Sequence, residues 1–139
     1  MEPYEIVEHT ADIGIRGSGR TPEELFANMA RGVFSLVVPP EEVRPAEKRT
    51  VRAQADGWEG LLVAWLRELL YLFDAQHFLP ASFTIRRLDP TAIEAELSGE
   101  ALDPARHTLG REVKAVTYCD LSFQQGADGA WSAQVILDI

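Results

Sequence analysis

The sequence of 139 residues predicts an α+β fold, in which a mostly antiparallel β-sheet carries two helices on one face as a two-layer sandwich. Three observations support this prediction: two segments have apolar residues at helical spacing, seven alternate at period two, and short turn signals separate the late strands. In chain order the elements read ββαβαββββ. The sequence shows no internal repeat and no long linker, so residues 1–139 are predicted to form a single domain.

The first predicted helix begins at Thr21-Pro22-Glu23-Glu24. Threonine is a capping residue, proline is favoured at the first helical position, and glutamate at the third completes a capping box. One apolar face follows at helical spacing, formed by Leu25, Phe26, Met29, Val33 and Leu36.

The second predicted helix begins at Asp56-Gly57-Trp58-Glu59 and is richer in large apolar side chains. Arg67, Tyr71 and Asp74 fall on its wetter side. Because the remaining apolar residues recur at helical spacing, we interpret this helix as core and not as a cofactor-binding segment. The apolar set is Trp58, Leu61, Leu62, Trp65, Leu66, Leu69, Leu72 and Phe73.

The seven alternating segments are predicted strands. Asp89-Pro90 and Asp128-Gly129 are turn signals, which predict hairpins and antiparallel pairing over the last four strands. The predicted strands run from Tyr4 to His9, Asp12 to Gly17, Arg49 to Ala55, Phe83 to Leu88, Ala92 to Ser98, Val116 to Phe123 and Ala130 to Asp138.

Composition narrows the classes of function. The formal net charge is -9, which would repel a phosphate backbone, so we expect no stable direct binding of nucleic acid. Cys119 is the single cysteine and the N-terminus has no signal-peptide pattern, so a reducing, cytoplasmic location is expected. The longest apolar window, Leu61 to Phe73, contains charges and is too short to cross a bilayer, which predicts no membrane insertion.

Two aspartates near the chain ends are candidate metal ligands. Asp12 precedes Ile13 and Asp138 follows Leu137, and in each strand the carboxylate falls on the face opposite the apolar residues. If the two strands are neighbours, these carboxylates lie together, with the terminal carboxylate of Ile139 close by. Such hard oxygen ligands suit Ca²⁺, Mg²⁺ or Mn²⁺. The alternative, two separately solvated aspartates at strand ends, remains open.

Other polar positions have two interpretations each. His9 either ligates a metal or holds the turn that presents Asp12. The segment from Asp103 to Lys114 is either a functional loop or solvated surface. Cys119 alternates with apolar neighbours and is predicted to be a buried small hydrophobe, not a nucleophile.

The sequence carries no phosphate-binding glycine loop, nucleophile elbow, His-x-x-x-His or Cys-x-x-Cys, which makes an enzymatic function less expected.

Five sequence blocks in order resemble the archease family, and they extend over essentially the full chain. Any one of them is modest evidence, whereas five in the same order, with the chain ending in Asp-Ile, are specific. The blocks are Glu8-His9-Thr10-Ala11-Asp12-Ile13-Gly14-Ile15, Glu24-Leu25-Phe26, Trp65-Leu66-Arg67-Glu68-Leu69-Leu70, Gly110-Arg111-Glu112-Val113-Lys114-Ala115-Val116-Thr117-Tyr118 and Leu137-Asp138-Ile139.

The resemblance implies an accessory protein without catalytic activity of its own. Archeases promote guanylylation and multiple turnover of the RtcB-type RNA ligase, which joins RNA ends in tRNA splicing and RNA repair. The family also binds a divalent ion through acidic residues near the two chain ends, which implies that Asp12 and Asp138 are metal ligands here. Glu112 and Lys114 match the family's polar loop and are candidate contacts to the ligase or its nucleotide. His9 belongs to the same motif as Asp12, which it is expected to support.

The chain departs from the family pattern at Cys119, where relatives commonly have histidine after the Thr-Tyr pair. This difference puts any role of that position in question here. Two other classes of function stay open beside the ligase activator: an acidic chaperone or scaffold, and a small metal-dependent hydrolase.

Overall fold

A computed structural model of the chain describes residues 3–8 and 12–139. Their secondary structure follows the predicted order ββαβαββββ, which confirms the α+β fold class. A short 3-10 turn, Pro40–Glu42, lies between the first helix and the third strand. The elements are β1 Tyr4–Glu8, β2 Asp12–Gly19, α1 Pro22–Ser35, β3 Glu47–Gln54, α2 Trp58–Gln76, β4 Phe78–Asp89, β5 Ala92–Ala101, β6 Ala115–Gln125 and β7 Trp131–Asp138.

The strands divide into two sheets, whereas the sequence predicted one. Within the described residues, one sheet has the order β1-β2-β7-β6, the other has the order β3-β5-β4, and each neighbouring pair is antiparallel. The predicted hairpins at Asp89-Pro90 and Asp128-Gly129 are confirmed. The prediction that β5 pairs with β6 was wrong, because residues 102–114 carry the chain from one sheet to the other instead of forming a tight turn.

Both helices pack against strands of both sheets, so the helices and the two sheets share one hydrophobic core. The predicted cap of α1 is confirmed, since Thr21 Oγ1 accepts a hydrogen bond from the backbone N–H of Glu24 at 3.1 Å. Trp65 of α2 is fully buried, and its indole N–H donates to the carbonyl oxygen of Phe26 in α1 at 3.1 Å. The indole therefore adds a directional bond to the apolar contact between the helices.

We expect Thr21→Ala to lower the free energy of unfolding by about 1 kcal/mol, because the backbone N–H of Glu24 loses its acceptor. Urea unfolding monitored by circular dichroism measures the change. Thr21→Ser keeps the hydroxyl and is the matched control. Equal losses in the two variants would show that the hydroxyl does not cap the helix.

Strand β4 begins at Phe78, earlier than the predicted Phe83. The pairing with β5 shifts register between Pro80 and Ser82, where β4 has one extra residue next to a proline that has no N–H to contribute to the ladder. The strand continues through this irregularity to Phe78, so it is longer than its period-two pattern indicated.

Cys119 is exposed, so the prediction of a buried thiol was wrong. The register of β6 against β7 shifts between Thr117 and Ser122, and Asp120 has a positive φ of 49°. Because residues 118–121 oppose a single residue of β7, the strand bulges and the inward-outward alternation is lost there. The bulge turns Cys119 towards solvent.

No helix in the part of the chain that the structure describes combines the length and the apolar character needed to cross a membrane.

Candidate functional site

The four-stranded sheet places the two candidate metal ligands opposite each other. Strands β2 and β7 are antiparallel neighbours, and their register pairs Asp12 with Asp138 and Ile13 with Leu137. Ile13 and Leu137 are fully buried, whereas Asp138 is exposed and Asp12 is half-buried. Directly opposed residues have Cβ atoms about 4.5–5.5 Å apart and project from the same face of the sheet. The two carboxylates are therefore neighbours on the face away from the core.

Within the described residues, neither carboxylate of this pair is neutralised by a neighbouring cation. Among residues 3–8 and 12–139, no cation forms an ion pair with Asp12 or Asp138, and no side-chain hydrogen bond reaches either carboxylate. Like charges directly opposite each other in a sheet are destabilising, and a divalent cation would relieve the repulsion. The donor set therefore fits a hard cation such as Ca²⁺, Mg²⁺ or Mn²⁺.

Two carboxylates do not fill a coordination shell, since these cations take about six or more oxygen ligands. Within the described residues no third histidine, cysteine, aspartate or glutamate forms a cluster with the pair. The terminal carboxylate of Ile139 follows Asp138 directly, and the Ile139 side chain packs partly against the core. His9 lies outside the described residues, so its predicted support of Asp12 stays a prediction.

The predicted polar loop reaches the same end of the sheet. The backbone N–H of Lys114 donates to the carbonyl oxygen of Asp138 at 2.8 Å, which joins the end of the loop to the last residue of β7. Glu112 and Lys114 are both exposed and line a cleft of about 190 Å³. Arg111, in the same loop, contacts Glu8 at the end of β1 with Nη2 2.5 Å from Oε1. This end of the sheet thus combines two carboxylates with an adjacent cation-bearing loop.

The loop is held by backbone contacts to the chain after α1. Gly110 N–H donates to the Val37 carbonyl at 2.8 Å, and Arg111 N–H donates to the Leu36 carbonyl at 2.6 Å. A Cβ atom at Gly110 would lie 2.2 Å from the Leu36 carbonyl oxygen, so only glycine permits this approach. These contacts fix the position of the loop at Gly110 and Arg111, and therefore the start of the segment that leads to Lys114.

A buried polar cluster anchors the beginning of the loop. Glu100 is 8% exposed and His107 is 4% exposed. The Glu100 carboxylate accepts from the Arg44 backbone N–H at 2.7 Å and contacts Nε2 of His107 at 3.0 Å and the guanidinium of Arg106. The backbone N–H of Asp103 donates to Nδ1 of His107 at 2.9 Å, so Nδ1 is the acceptor and Nε2–H donates to Glu100. Glu100 is thus fully hydrogen-bonded.

Burial of the Glu100 carboxylate raises its pKa, but hydrogen bonds from the Arg44 N–H, His107 and Arg106 outweigh this effect, and the pKa is lowered to about 2. Nearby, the N–H and hydroxyl of Thr108 both donate to Glu42 and lower the pKa of that carboxyl. The ionised forms of both carboxylates therefore hold the loop against β5 and the 3-10 turn.

This cluster was not predicted from the sequence. The period-two alternation of β5 predicts that Glu100 faces solvent. Instead, both Gly99 and Glu100 are buried at the end of that strand. The one signal in the sequence is the proximity of Glu100, Arg106 and His107, three groups able to pair over a short span.

The fold and the site define the class: a small antiparallel α+β protein with two paired carboxylates and a polar loop at the end of one sheet. A sequence model of the Archease protein family (MTH1598/TM1083) matches residues 4–139. Protein archease of Thermococcus kodakarensis is 38% identical over all of both chains. That of Methanosarcina mazei is 39% identical over 98% of this chain and 95% of its own. The chain belongs to the archease family, as its sequence blocks predicted.

Solved structures agree with the fold. The solution structure of Methanobacterium thermoautotrophicum protein 1598 matches with a TM-score of 0.86 and 32% identity over all of both chains. A crystal structure of an archease, described as a possible chaperone, from Thermotoga maritima matches with a TM-score of 0.66 and 21% identity. It covers 96% of this chain and 94% of its own, and at this identity it supports the fold alone.

Proposed function

We propose that this protein is a metal-binding accessory factor that activates an RtcB-type RNA ligase in tRNA splicing and RNA repair. It promotes guanylylation and multiple turnover of the ligase and has no catalytic activity of its own. Asp12, Asp138 and the terminal carboxylate of Ile139 hold a divalent cation, while Glu112 and Lys114 contact the ligase or its nucleotide. In this proposal the protein acts in the cytoplasm, and its partner is the ligase.

The observation that carries the proposal is the direct opposition of Asp12 and Asp138, with Lys114 joined to Asp138 through the backbone. A member of the archease family that places two carboxylates and a lysine on one exposed end has the groups that phosphoryl transfer needs. Such a step depends mainly on positioning and on neutralising developing negative charge. A docked partner can supply both to another protein's nucleotide site.

To accelerate guanylylation of the ligase, the contacts of this protein must be stronger in the transition state of the transfer than in the ground state. Groups that merely tighten nucleotide binding do not raise the rate at saturating GTP. The ammonium group of Lys114 would neutralise developing charge directly, and the carboxylate pair would supply the charge of its cation at the same end of the sheet. We therefore expect the effect on the rate constant of guanylylation to persist at saturating GTP.

Transfer of label from GTP to purified ligase tests the proposal. Acceleration in the presence of this protein, and no labelled product or joined RNA without ligase, is expected. An unchanged rate would remove the proposed function. Product formed without ligase would instead support the hydrolase or another independent enzyme.

A chaperone or scaffold is the second candidate. The net charge of -9 favours it, because negative charge suits an interaction with basic protein surfaces. Suppression of aggregation of an unrelated unfolded protein, unchanged by Asp12→Asn, would support this candidate. An activator of the ligase should show no such general effect.

Lys114→Ala should reduce ligase activation while leaving the fold intact, because the side chain is exposed. The backbone bond to Asp138 is kept, and a substitution at such a surface position changes stability by less than about 0.5 kcal/mol. Thermal unfolding and label transfer are measured on the same preparation. Lys48→Ala, which removes an exposed lysine from β3, is the control. Full activation by Lys114→Ala, or a large fall in its unfolding midpoint, would contradict the assignment.

A further inference from the structure

A second surface, which does not include the carboxylate pair, lies between the start of α2 and strand β6. We call it the α2–β6 groove; its volume is about 920 Å³, and Asp56, Trp58, Glu68, Tyr118 and Phe123 are among the residues that line it. This volume falls in the range of sites that bind ligands or peptide side chains. Neither the proposed metal site nor the proposed activation of a ligase uses it.

The floor of the groove is aromatic. The rings of Trp58 and Phe123 stack with centroids 5.2 Å apart and an interplanar angle of 8°, and both residues are half-buried. Tyr118, in the bulge of β6, is 59% exposed beside them. A large aromatic side chain left this open next to an apolar floor is typical of a binding surface.

The rim of the groove is negative. Asp56, Glu59 and Glu68 are exposed, and within the described residues none of them forms an ion pair. Arg67 is the cation among the lining residues, and it is already engaged. Its Nη2 donates to the Val116 carbonyl at 3.1 Å, and its guanidinium lies 5.0 Å from the centroid of the Tyr118 ring. The three carboxylates therefore offer uncompensated charge to an occupant.

The walls of the groove include two sheet edges. Strand β6 ends the order β1-β2-β7-β6, and β3, whose end at Ala53 and Gln54 lines the opposite wall, ends the order β3-β5-β4. Edge strands present backbone N–H and C=O groups that an extended peptide can pair with. The bulge at residues 118–121 interrupts the ladder between β6 and β7 at this point, and Tyr118 within it is exposed. A phosphate backbone is disfavoured here, because the rim repels it.

We propose that the α2–β6 groove binds an extended segment of a partner protein that carries lysine or arginine next to apolar side chains. The basic groups pair with Asp56, Glu59 and Glu68, and the apolar groups cover Trp58 and Tyr118. Charge complementarity selects this occupant over an acidic peptide or a nucleic acid. The inference goes beyond the proposed function and does not depend on it.

Selection from a displayed library of random peptides on the immobilised protein tests the proposal, followed by affinity measurements on synthetic copies of the enriched peptides. The double variant Glu59→Gln/Glu68→Gln removes rim charge, and Tyr118→Ala removes the exposed ring. Glu23→Gln/Glu41→Gln removes the same charge from exposed positions outside the groove and is the matched control. Thermal unfolding of each variant shows that it is folded.

We expect enriched peptides with alternating basic and apolar residues, and affinities that fall at least about tenfold in Glu59→Gln/Glu68→Gln and in Tyr118→Ala. The control pair should bind like the parent. Enrichment of acidic peptides, no enrichment, or equal losses in the control would overturn the proposal. Single-stranded RNA that competes for the groove would assign it to nucleic acid and would overturn the proposal as well.

Discussion

Asp138→Asn is expected to remove most of the acceleration of ligase guanylylation while the protein stays folded. The amide keeps the shape of the side chain but lacks the charge and one of the hard oxygen donors of the pair with Asp12. Removing a group that stabilises developing charge in such steps costs about 100-fold or more in rate. Stability should be unchanged or slightly higher, because a like-charge pair across the two strands is removed.

Single-turnover transfer of label from GTP to the ligase measures this effect, with saturating nucleotide and a fixed excess of the accessory protein. Asp128→Asn is the matched control: it removes the same charge from the turn between β6 and β7, where the amide oxygen can still accept from the Ala130 N–H. Full acceleration by Asp138→Asn, or an equal loss in Asp128→Asn, would argue against a role of the carboxylate pair.

Glu100→Gln should produce the largest loss of stability among the polar substitutions considered, about 2–3 kcal/mol at neutral pH. The carboxylate is buried and accepts from the Arg44 N–H, Arg106 and His107. The amide retains a single acceptor oxygen and brings an N–H₂ group towards these donors. Removing one member of a buried charged group leaves the others without compensation.

The same carboxylate predicts a pH dependence. Its pKa is lowered from 4.5 to about 2 in the folded protein, so ionised Glu100 stabilises the fold above about pH 4.5, and this contribution is lost as the pH falls towards 2. The shift corresponds to about 3 kcal/mol. The parent should therefore lose more stability across this window than Glu100→Gln does.

Urea unfolding at a series of pH values measures both effects. Glu94→Gln, in the same strand, breaks an exposed ion pair with Arg52 and should cost less than about 1 kcal/mol. A neutral-pH loss in Glu100→Gln no larger than in Glu94→Gln would contradict the account of the buried cluster. Parallel pH profiles for the parent and Glu100→Gln would contradict the lowered pKa.

Much of the architecture follows from local patterns. The capping residues at Thr21 and the helical spacing of apolar residues located α1 and α2, and the turns at Asp89-Pro90 and Asp128-Gly129 located two hairpins. Asp12 and Asp138 face away from the apolar residues of the second and the last alternating segments, which was enough to suggest that the two carboxylates are neighbours. Their direct opposition required the register of β2 against β7, which only the folded sheet fixes.

The predictions of side-chain burial failed where tertiary structure overrides the period-two alternation of a strand. The bulge in β6 exposes Cys119, and the end of β5 buries Glu100, although period two assigns each to the opposite side. The division into two sheets depends on how residues 102–114 are anchored, through contacts with Glu42, Leu36 and Val37 that are distant in sequence. Such long-range contacts leave no periodic signal in the chain.

The shift of the thermal unfolding midpoint on adding Ca²⁺ or Mn²⁺ tests directly whether Asp12 and Asp138 hold a divalent cation. A ligand that binds the folded state alone stabilises it by about 2.7 kcal/mol at 100 times its dissociation constant. We expect a clear rise in the midpoint for the parent, and little or none for Asp12→Asn. A midpoint that does not move for the parent, or that moves equally for Asp12→Asn, would contradict the proposed metal site.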